Sequence, residues 1–279
     1  MIMKWNDSYL NVKGNDIRLV EKGSGSPVML LHGIGASLEW WNYNINFLSK
    51  KNRVIAFDFL GFGLSSKPDI DFNIELAQEF MLDFINTLGL KKVSLVGNSM
   101  GGLIALGTAI TIPEKIDKLI LVDNAGFDSN LSFFLRLGTV FPLCQIALSA
   151  MGKMFLRFFL KRMFYDLKKM PLELEDCILK MFQYPKNKKV FCEVLKYGVN
   201  IKGLKKRIWS EIVRESLTLP HKTLIVWGEN DKVIPVSQAY KGKELIKNST
   251  LHIFEQCGHI PQVEYFEEFN RLVQDFLNS

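Results

Sequence analysis

The stretch Val93-Ser94-Leu95-Val96-Gly97-Asn98-Ser99-Met100-Gly101-Gly102-Leu103 decides how the rest of the chain is read. Its first half is apolar and β-branched, which suits a buried strand. It then enters a Gly-x-Ser-x-Gly turn and leaves it through Leu103-Ile104-Ala105-Leu106, a helix-compatible run. A serine on a tight strand-to-helix turn projects its hydroxyl away from the backbone, and small flanking residues keep strand and helix from clashing. The helix that follows aims its free N–H groups and positive dipole end at whatever the serine attacks. Ser99 is the candidate nucleophile.

A lone serine is a poor nucleophile near neutral pH, so a base and an orienting acid must lie elsewhere. The chain has four histidines. His252 falls in an alternating strand pattern, His221 follows Pro220 in a loop, and His32 comes too early for the base of a strand-ordered fold. His259, in Gln256-Cys257-Gly258-His259-Ile260-Pro261, sits between the last strand and the last helix and is the expected base. Asp231 follows the next-to-last strand, bracketed by Gly228 and Pro235, and is the expected acid. Its carboxylate would hold one imidazole nitrogen and stabilise the imidazolium that forms. A solvated loop aspartate is the plain alternative, Glu229 is a near neighbour, and Asp123 at a strand end is the second choice.

The order Ser99, Asp231, His259 is the one used by α/β-hydrolases. The chain resembles that superfamily along most of its length. His32-Gly33-Ile34-Gly35 is similar to its oxyanion loop, Asp58-Phe59-Leu60-Gly61-Phe62-Gly63-Leu64-Ser65 to its turn after the fourth strand, and 97–101 to its nucleophile elbow. The resemblance implies that the backbone N–H groups of Met100 and Ile34 form an oxyanion hole, where one lost donor costs about 3–4 kcal/mol of barrier. Gly33 and Gly35 suit a loop whose backbone approaches the substrate, and His32 would order that loop.

The coarse pattern gives strands near 9–12, 17–21, 28–32, 53–58, 93–97, 118–123, 223–227 and 250–254. Ile74, Ala77, Met81, Phe84, Ile85 and Leu88 mark a helical face closed by Gly89. Phe266, Phe269, Val273 and Phe276 mark another after Pro261. The expected fold is a mostly parallel eight-stranded sheet covered by helices, with catalytic groups at the strands' carboxyl ends. Residues 126–219 break the rhythm with aromatic and methionine-rich helical patterns. They are similar to the helical cap many superfamily members insert after the sixth strand, leaving 1–125 and 220–279 as core.

Residues 126–219 hold 17 Lys and Arg against 8 Asp and Glu, a net charge of +9 beside +6 for the whole chain. The positive balance belongs to the cap, and no aromatic-basic RNA motif or helix-turn-helix supports nucleic-acid binding. Phe133, Phe134, Leu137, Phe141, Phe155, Leu156, Phe158, Phe159 and Phe164 are expected to pack over the site and line an apolar pocket. With Lys153, Arg157, Lys161 and Arg162 they alternatively form a basic amphipathic surface for peripheral contact with anionic membrane. A substrate bearing a carboxylate or phosphate is the third account of that charge. Cys144, Cys177, Cys192 and Cys257 show no metal spacing and are read as buried thiols of a reducing cytoplasm. Residues 1–5 lead into no apolar signal core, so secretion is not expected.

Ser99 argues against haloalkane dehalogenases and epoxide hydrolases, which place an aspartate at the elbow. Residues 95–102, 257–259 and 264–273 resemble the meta-cleavage-product C–C bond hydrolases. That resemblance implies that Asn98 and Asn42 shape the polar end of the pocket. The chain departs from those enzymes at Gly35-Ala36-Ser37 and at Ile260, both bordering the site. The expected activity is hydrolysis of a small or medium carboxylic ester with an apolar portion, through an acyl-enzyme on Ser99, without metal or organic cofactor. C–C bond hydrolysis, acyl transfer and a non-catalytic receptor on the same fold are the alternatives.

Overall fold

The computed structural model describes residues 5–137, 139 and 152–279. Its main sheet is built from β1 (Ser8–Val12), β2 (Asn15–Lys22), β3 (Ser26–Leu31), β4 (Asn52–Phe57), β5 (Val93–Asn98), β6 (Ile116–Val122), β7 (Lys222–Gly228) and β8 (Ser249–Phe254). In space the strands run β1-β2-β4-β3-β5-β6-β7-β8. β1 and β2 are antiparallel to their neighbours, and the pairs from β4 to β8 are parallel. Strands in a sheet covered on both faces read as continuous apolar runs. β5, at the centre, is buried at every residue.

Two helices fix the centre. α1 (Ile74–Thr87) starts where the Asn73 side chain accepts the Leu76 N–H at 2.7 Å, and it buries Phe80, Met81, Phe84 and Ile85. Capping satisfies a first-turn N–H that the helix cannot. α2 (Met100–Thr111) follows β5 directly and packs on β5 and β6. A Cβ at Gly97 would stand 2.4 Å from the Gly101 carbonyl oxygen, and one at Gly101 would stand 2.3 Å from that of Leu31. The expected smallness of the turn residues thus has a steric cause.

Between β6 and β7 the chain adds α3 (Gly152–Met163), α4 (Leu172–Met181), α5 (Pro185–Gly198) and α6 (Lys206–Ser216). A hairpin of two-residue strands, Val199–Asn200 with Gly203–Leu204, joins α5 to α6. The sequence reading saw no strand there, because two residues are too few to show an alternating pattern. After β7 come α7 (Ser237–Leu245), the short helix Pro261–Glu264 and α8 (Phe266–Asn278), whose buried residues include Phe269 and Val273.

The cysteine reading needs correction. Cys177 and Cys257 are free, but Cys192 is disulfide-bonded, and Cys144 lies outside the described residues. Sequence spacing does not reveal pairing, so the inference from four thiols to a reducing compartment falls away. No helix among the described residues is long and apolar enough to cross a membrane.

Candidate active site

Ser99 stands between β5 and α2 with φ 59° and ψ −118°, a conformation that side chains rarely adopt. The turn is over-determined: Ser99 N–H donates to the Val122 carbonyl, and the Ser99 carbonyl accepts from Gly102, Leu103 and Ala125. Such strain persists only where the surroundings enforce it, and it clusters at functional turns. The result brings the serine side chain to the wall of an apolar cavity, beside Met100 and Ile34.

His259 and Asp231 arrive from the loops after β8 and β7. His259 Nδ1 lies 2.7 Å from Asp231 Oδ2, with both side chains fully buried. Asp231 Oδ1 accepts the N–H groups of Val233 and Ile234 at 2.7 and 3.0 Å, which aims the other oxygen at the imidazole. His259 Nε2 is buried and has no hydrogen-bond partner among the described residues. An imidazole oriented at Nδ1 and open at Nε2 is what a general base needs. The histidine backbone is pinned too, its N–H donating to the Met163 carbonyl of α3 at 2.7 Å.

The loop after β3 owes its shape to a neutral His32. Its Nε2 accepts the Phe59 N–H at 3.0 Å, so Nδ1 carries the proton and donates to the Gly33 carbonyl at 2.8 Å. Burial pushes this imidazole down to about 4. Among the described residues, no protein acceptor meets the N–H of Ile34 or of Met100. Behind the loop, Asp58 accepts the N–H groups of Leu38 and Leu64 and pairs with Arg18, which also holds Glu39. Burial pushes Asp58 up to about 6, partly offset by the Arg18 charge. The 58–65 turn is legible in the sequence but Arg18 and Glu39 are not, since isolated charges on a strand and on a single 3-10 turn carry no spacing signal.

The remaining expected site residues are distributed unevenly. A Cβ at Gly33 would meet Ser99 Cβ at 3.2 Å, so Gly33 lies against the serine. Gly35, at φ +73°, lines a smaller second cavity next to Phe182 and Phe191. Asn98 is committed internally: it donates to the carbonyls of Val122 and His259 and accepts from Trp40 Nε1. Asn42 accepts from Trp5 Nε1 at 2.6 Å. Asn42, Asn98 and Ile260 are buried, and none lines either cavity.

The main cavity encloses about 1040 Å³, counting the space open to its mouth. Its walls come from both the core (Phe59, Phe80, Leu103) and the insert (Val194, Leu204, Ile208). Among the described lining residues there is no Lys, Arg, His, Asp or Glu. Of the aromatic-rich insert positions, Leu156 and Phe159 line the second cavity and Phe164 is buried, whereas Phe133 and Phe158 face outward. The side chains of Phe134, Leu137, Phe141 and Phe155 lie outside the described residues.

Two acids complete the surroundings. Asp123, at the end of β6, is fully buried at φ 43° and accepts the Gly228 N–H at 2.9 Å. Asp123, Asp231 and His259 bring one oxygen or nitrogen each within 4.8 Å of the others. That spacing admits a divalent cation on geometry alone, yet Nδ1 is spent on Asp231 and Asp231 Oδ1 on two backbone donors. Glu264 escaped the sequence reading: it accepts the N–H groups of Tyr165, Asp166 and Gly258, tying the insert to the histidine loop.

The sequence profile of the alpha/beta hydrolase fold family matches residues 26–265. The chain belongs to that family. It is 32% identical over 280 residues to a 2-hydroxy-6-oxo-6-(2'-aminophenyl)hexa-2,4-dienoic acid hydrolase of Metapseudomonas resinovorans, covering 98% of this chain and 91% of that one. A meta-cleavage product hydrolase from Pseudomonas fluorescens IP01 superposes with a TM-score of 0.84 at 27% identity, over 97% of each chain. A membrane phospholipase A, described as a bacterial virulence factor, gives 0.83 at 27% identity, over 98% of this chain and 86% of that one.

Proposed function

We propose that the chain is a serine hydrolase for a carbonyl compound with a large apolar part. The observation that carries this reading is a strained serine at the wall of an apolar cavity, its neighbour Asn98 hydrogen-bonded to the backbone of a histidine whose imidazole a buried aspartate orients. In it Ser99 is the nucleophile, His259 the general base and then acid, and Asp231 the group that fixes the imidazole tautomer. The N–H groups of Ile34 and Met100 hold the developing oxyanion. Residues 126–219 act as the cap over a core of 1–125 and 220–279, keeping bulk water from the site.

Two bond-breaking steps fit this machinery. C–C bond hydrolysis of the meta-cleavage type has the support of the named relatives, which weigh more heavily on this side than on ester hydrolysis. There the dienol first shifts its 2-hydroxyl proton to C5, and collapse of the tetrahedral intermediate then breaks the C5–C6 bond, its electron pair delocalising onto the C2 carbonyl as a dienolate that is protonated. Ester hydrolysis is the second reading, favoured by one specific observation. A dienoate brings a carboxylate that wants a cation or several donors, and the described cavity walls carry no charged side chain. An ester with an apolar acyl chain makes no such demand, and the phospholipase likeness is of this kind.

The two chemistries separate in one assay. Purified protein is given p-nitrophenyl esters of increasing chain length beside a 2-hydroxy-6-oxo-dienoate whose yellow absorbance disappears on cleavage. Turnover of the dienoate at a kcat/KM above that of every ester establishes C–C hydrolysis, and the reverse order establishes the esterase. Failure on both, with no labelling by a fluorophosphonate probe, sinks the hydrolase reading.

A further inference from the structure

Asp123 is a second acid beside the expected one, and the chemistry outlined above leaves it without a task. It is wholly buried at the end of β6. One oxygen, Oδ1, takes the Gly228 N–H at 2.9 Å, while Oδ2 meets no N–H or hydroxyl donor among the described residues, and its carboxyl stands in hydrogen-bonding relation to Asp231. Asp231 lies close by, since one atom from each of Asp123, Asp231 and His259 falls within 4.8 Å of the others. Two anionic carboxylates at that separation and at that burial repel strongly, and one proton removes the conflict.

We propose that Asp123 and Asp231 share a single proton, carried by Asp123, and that Asp123 is a positioning residue whose hydroxyl donates to Asp231 and steadies its hold on His259. This rests on the reading of His259 as base and Asp231 as acid. The uneven supply of donors says which carboxyl keeps the proton. Asp231 accepts from Val233 N–H, Ile234 N–H and His259 Nδ1, three donors that favour its charged form. Asp123 accepts from one, and its second oxygen is left to serve as the donor. Burial, and then the neighbouring Asp231 charge, push Asp123 well above the ordinary carboxylate range. The other titratable neighbours bring no compensating positive charge: Glu264 adds negative charge from the Pro261–Glu264 helix, and Cys257, on the histidine loop, is pushed up by burial.

The backbone at this position supplies well-matched variants. Asp123 sits at φ 43°, in the left-handed region that asparagine and glycine tolerate best among replacements. Asp123→Asn keeps an acceptor for Gly228 and a neutral donor for Asp231. Asp123→Gly keeps the backbone and removes both. The His259 ring is titrated by NMR in protein labelled at histidine, alongside the pH profile of kcat/KM. With a proton on Asp123, the Asn variant leaves the His259 titration and the profile unchanged. The Gly variant frees Asp231 to attract the imidazolium more strongly, moving the titration up by about half a unit or more and lowering kcat about tenfold at constant KM, an effect the Asn variant does not show.

A downward shift of about one unit in Asp123→Asn means an anion was removed and overturns the proposal. An Asp123→Gly protein that titrates and turns over like wild type overturns it as well. Should the Gly variant fail to fold, the Asn variant decides alone. The titration needs no turnover, so an inactive wild type that escapes fluorophosphonate labelling sinks the nucleophile reading while the carboxyl pair is still tested.

Discussion

The sheet and the insert between β6 and β7 obey different rules. β5 and the loops around it leave no freedom: every residue of the strand is buried, and the turn at Ser99 is held by four backbone hydrogen bonds. The insert is basic, with a net charge of +9 over 126–219, and it leaves large apolar side chains such as Phe133 (70% exposed) and Leu172 (71%) in solvent. On the proposed reading, chemistry that needs close placement rests on the first region, and the second supplies part of the wall that selects the substrate. Among the described residues the two meet in several places, including the Met163 carbonyl on the His259 N–H, the Ser132 N–H on the Val233 carbonyl, Glu264 on Tyr165 and Asp166, Lys189 on Asp69, and the shared cavity wall.

The hardest test of this division is Ser99→Ala. Removing one oxygen from the rigid region should cut turnover by about 10⁴-fold or more, since residues that act as a unit lose nearly everything together. The folded protein should remain, with circular dichroism and melting temperature close to wild type. Asp231→Asn should follow at about 10³- to 10⁴-fold, because the imidazole then rests in the wrong tautomer. Retained ester and dienoate cleavage in Ser99→Ala would remove the rigid region's claim to the chemistry.

The same division explains what could be read in the sequence. Gly97-Asn98-Ser99-Met100-Gly101, Asp231 and Gly258-His259 are local signals, because a tight turn or a strand-end loop restricts which residues fit. Strands β3 to β7 were legible since burial on both faces forces apolar runs, and the edge strand β8, only partly buried, by its alternation. Glu264, Arg18 and Asp58 act across long sequence separations, Arg18 meeting Asp58 40 positions away, and no pattern in one chain announces such partners. Asn98 was expected at the pocket's polar end. Its amide is instead occupied by Val122, His259 and Trp40, a fact only the third dimension supplies.

A pH measurement probes how the rigid region is held. His32 is depressed from 6.5 to about 4, so the unfolded chain binds its proton first as pH falls. The stability this group contributes is therefore complete above pH 6.5 and is lost between 6.5 and 4, up to about 3 kcal/mol. Asp58, pushed up from 3.8 to about 6, acts in the opposite sense over a similar range. Comparing wild type with His32→Gln cancels Asp58, since both proteins carry it. Urea titrations at pH 7 and pH 4.5 should show wild type losing ground to the variant on acidification. Parallel behaviour of the two would mean His32 does not hold the loop as a neutral ring.

Glu264→Ala strikes the seam between the regions. It strips the partner from three N–H groups, at Tyr165, Asp166 and Gly258, for an expected loss of about 2–3 kcal/mol. Hydrogen exchange should rise at Tyr165 and Asp166 while the amides of β5 stay protected. Equal loosening of β5 would mean that sheet and insert form one cooperative unit, and the contrast between them would fail.

The smallest effect tests the insert's claim to specificity. Val194, on α5, lines the cavity and is only partly buried, so Val194→Phe can fill space without crushing the core. A filled cavity excludes methylenes of a long substrate, and each lost apolar contact is worth about 1–3 kcal/mol of discrimination. The kcat/KM for a p-nitrophenyl decanoate should fall about ten- to a hundredfold, while that for a butyrate changes little because the serine and its imidazole are untouched. On the proposed reading Val194 meets the substrate's far end and Ser99 its carbonyl, so a uniform fall in both esters would mean the insert shapes the chemical step as well, and the assignment of chemistry to the sheet and selection to the insert would have to be given up.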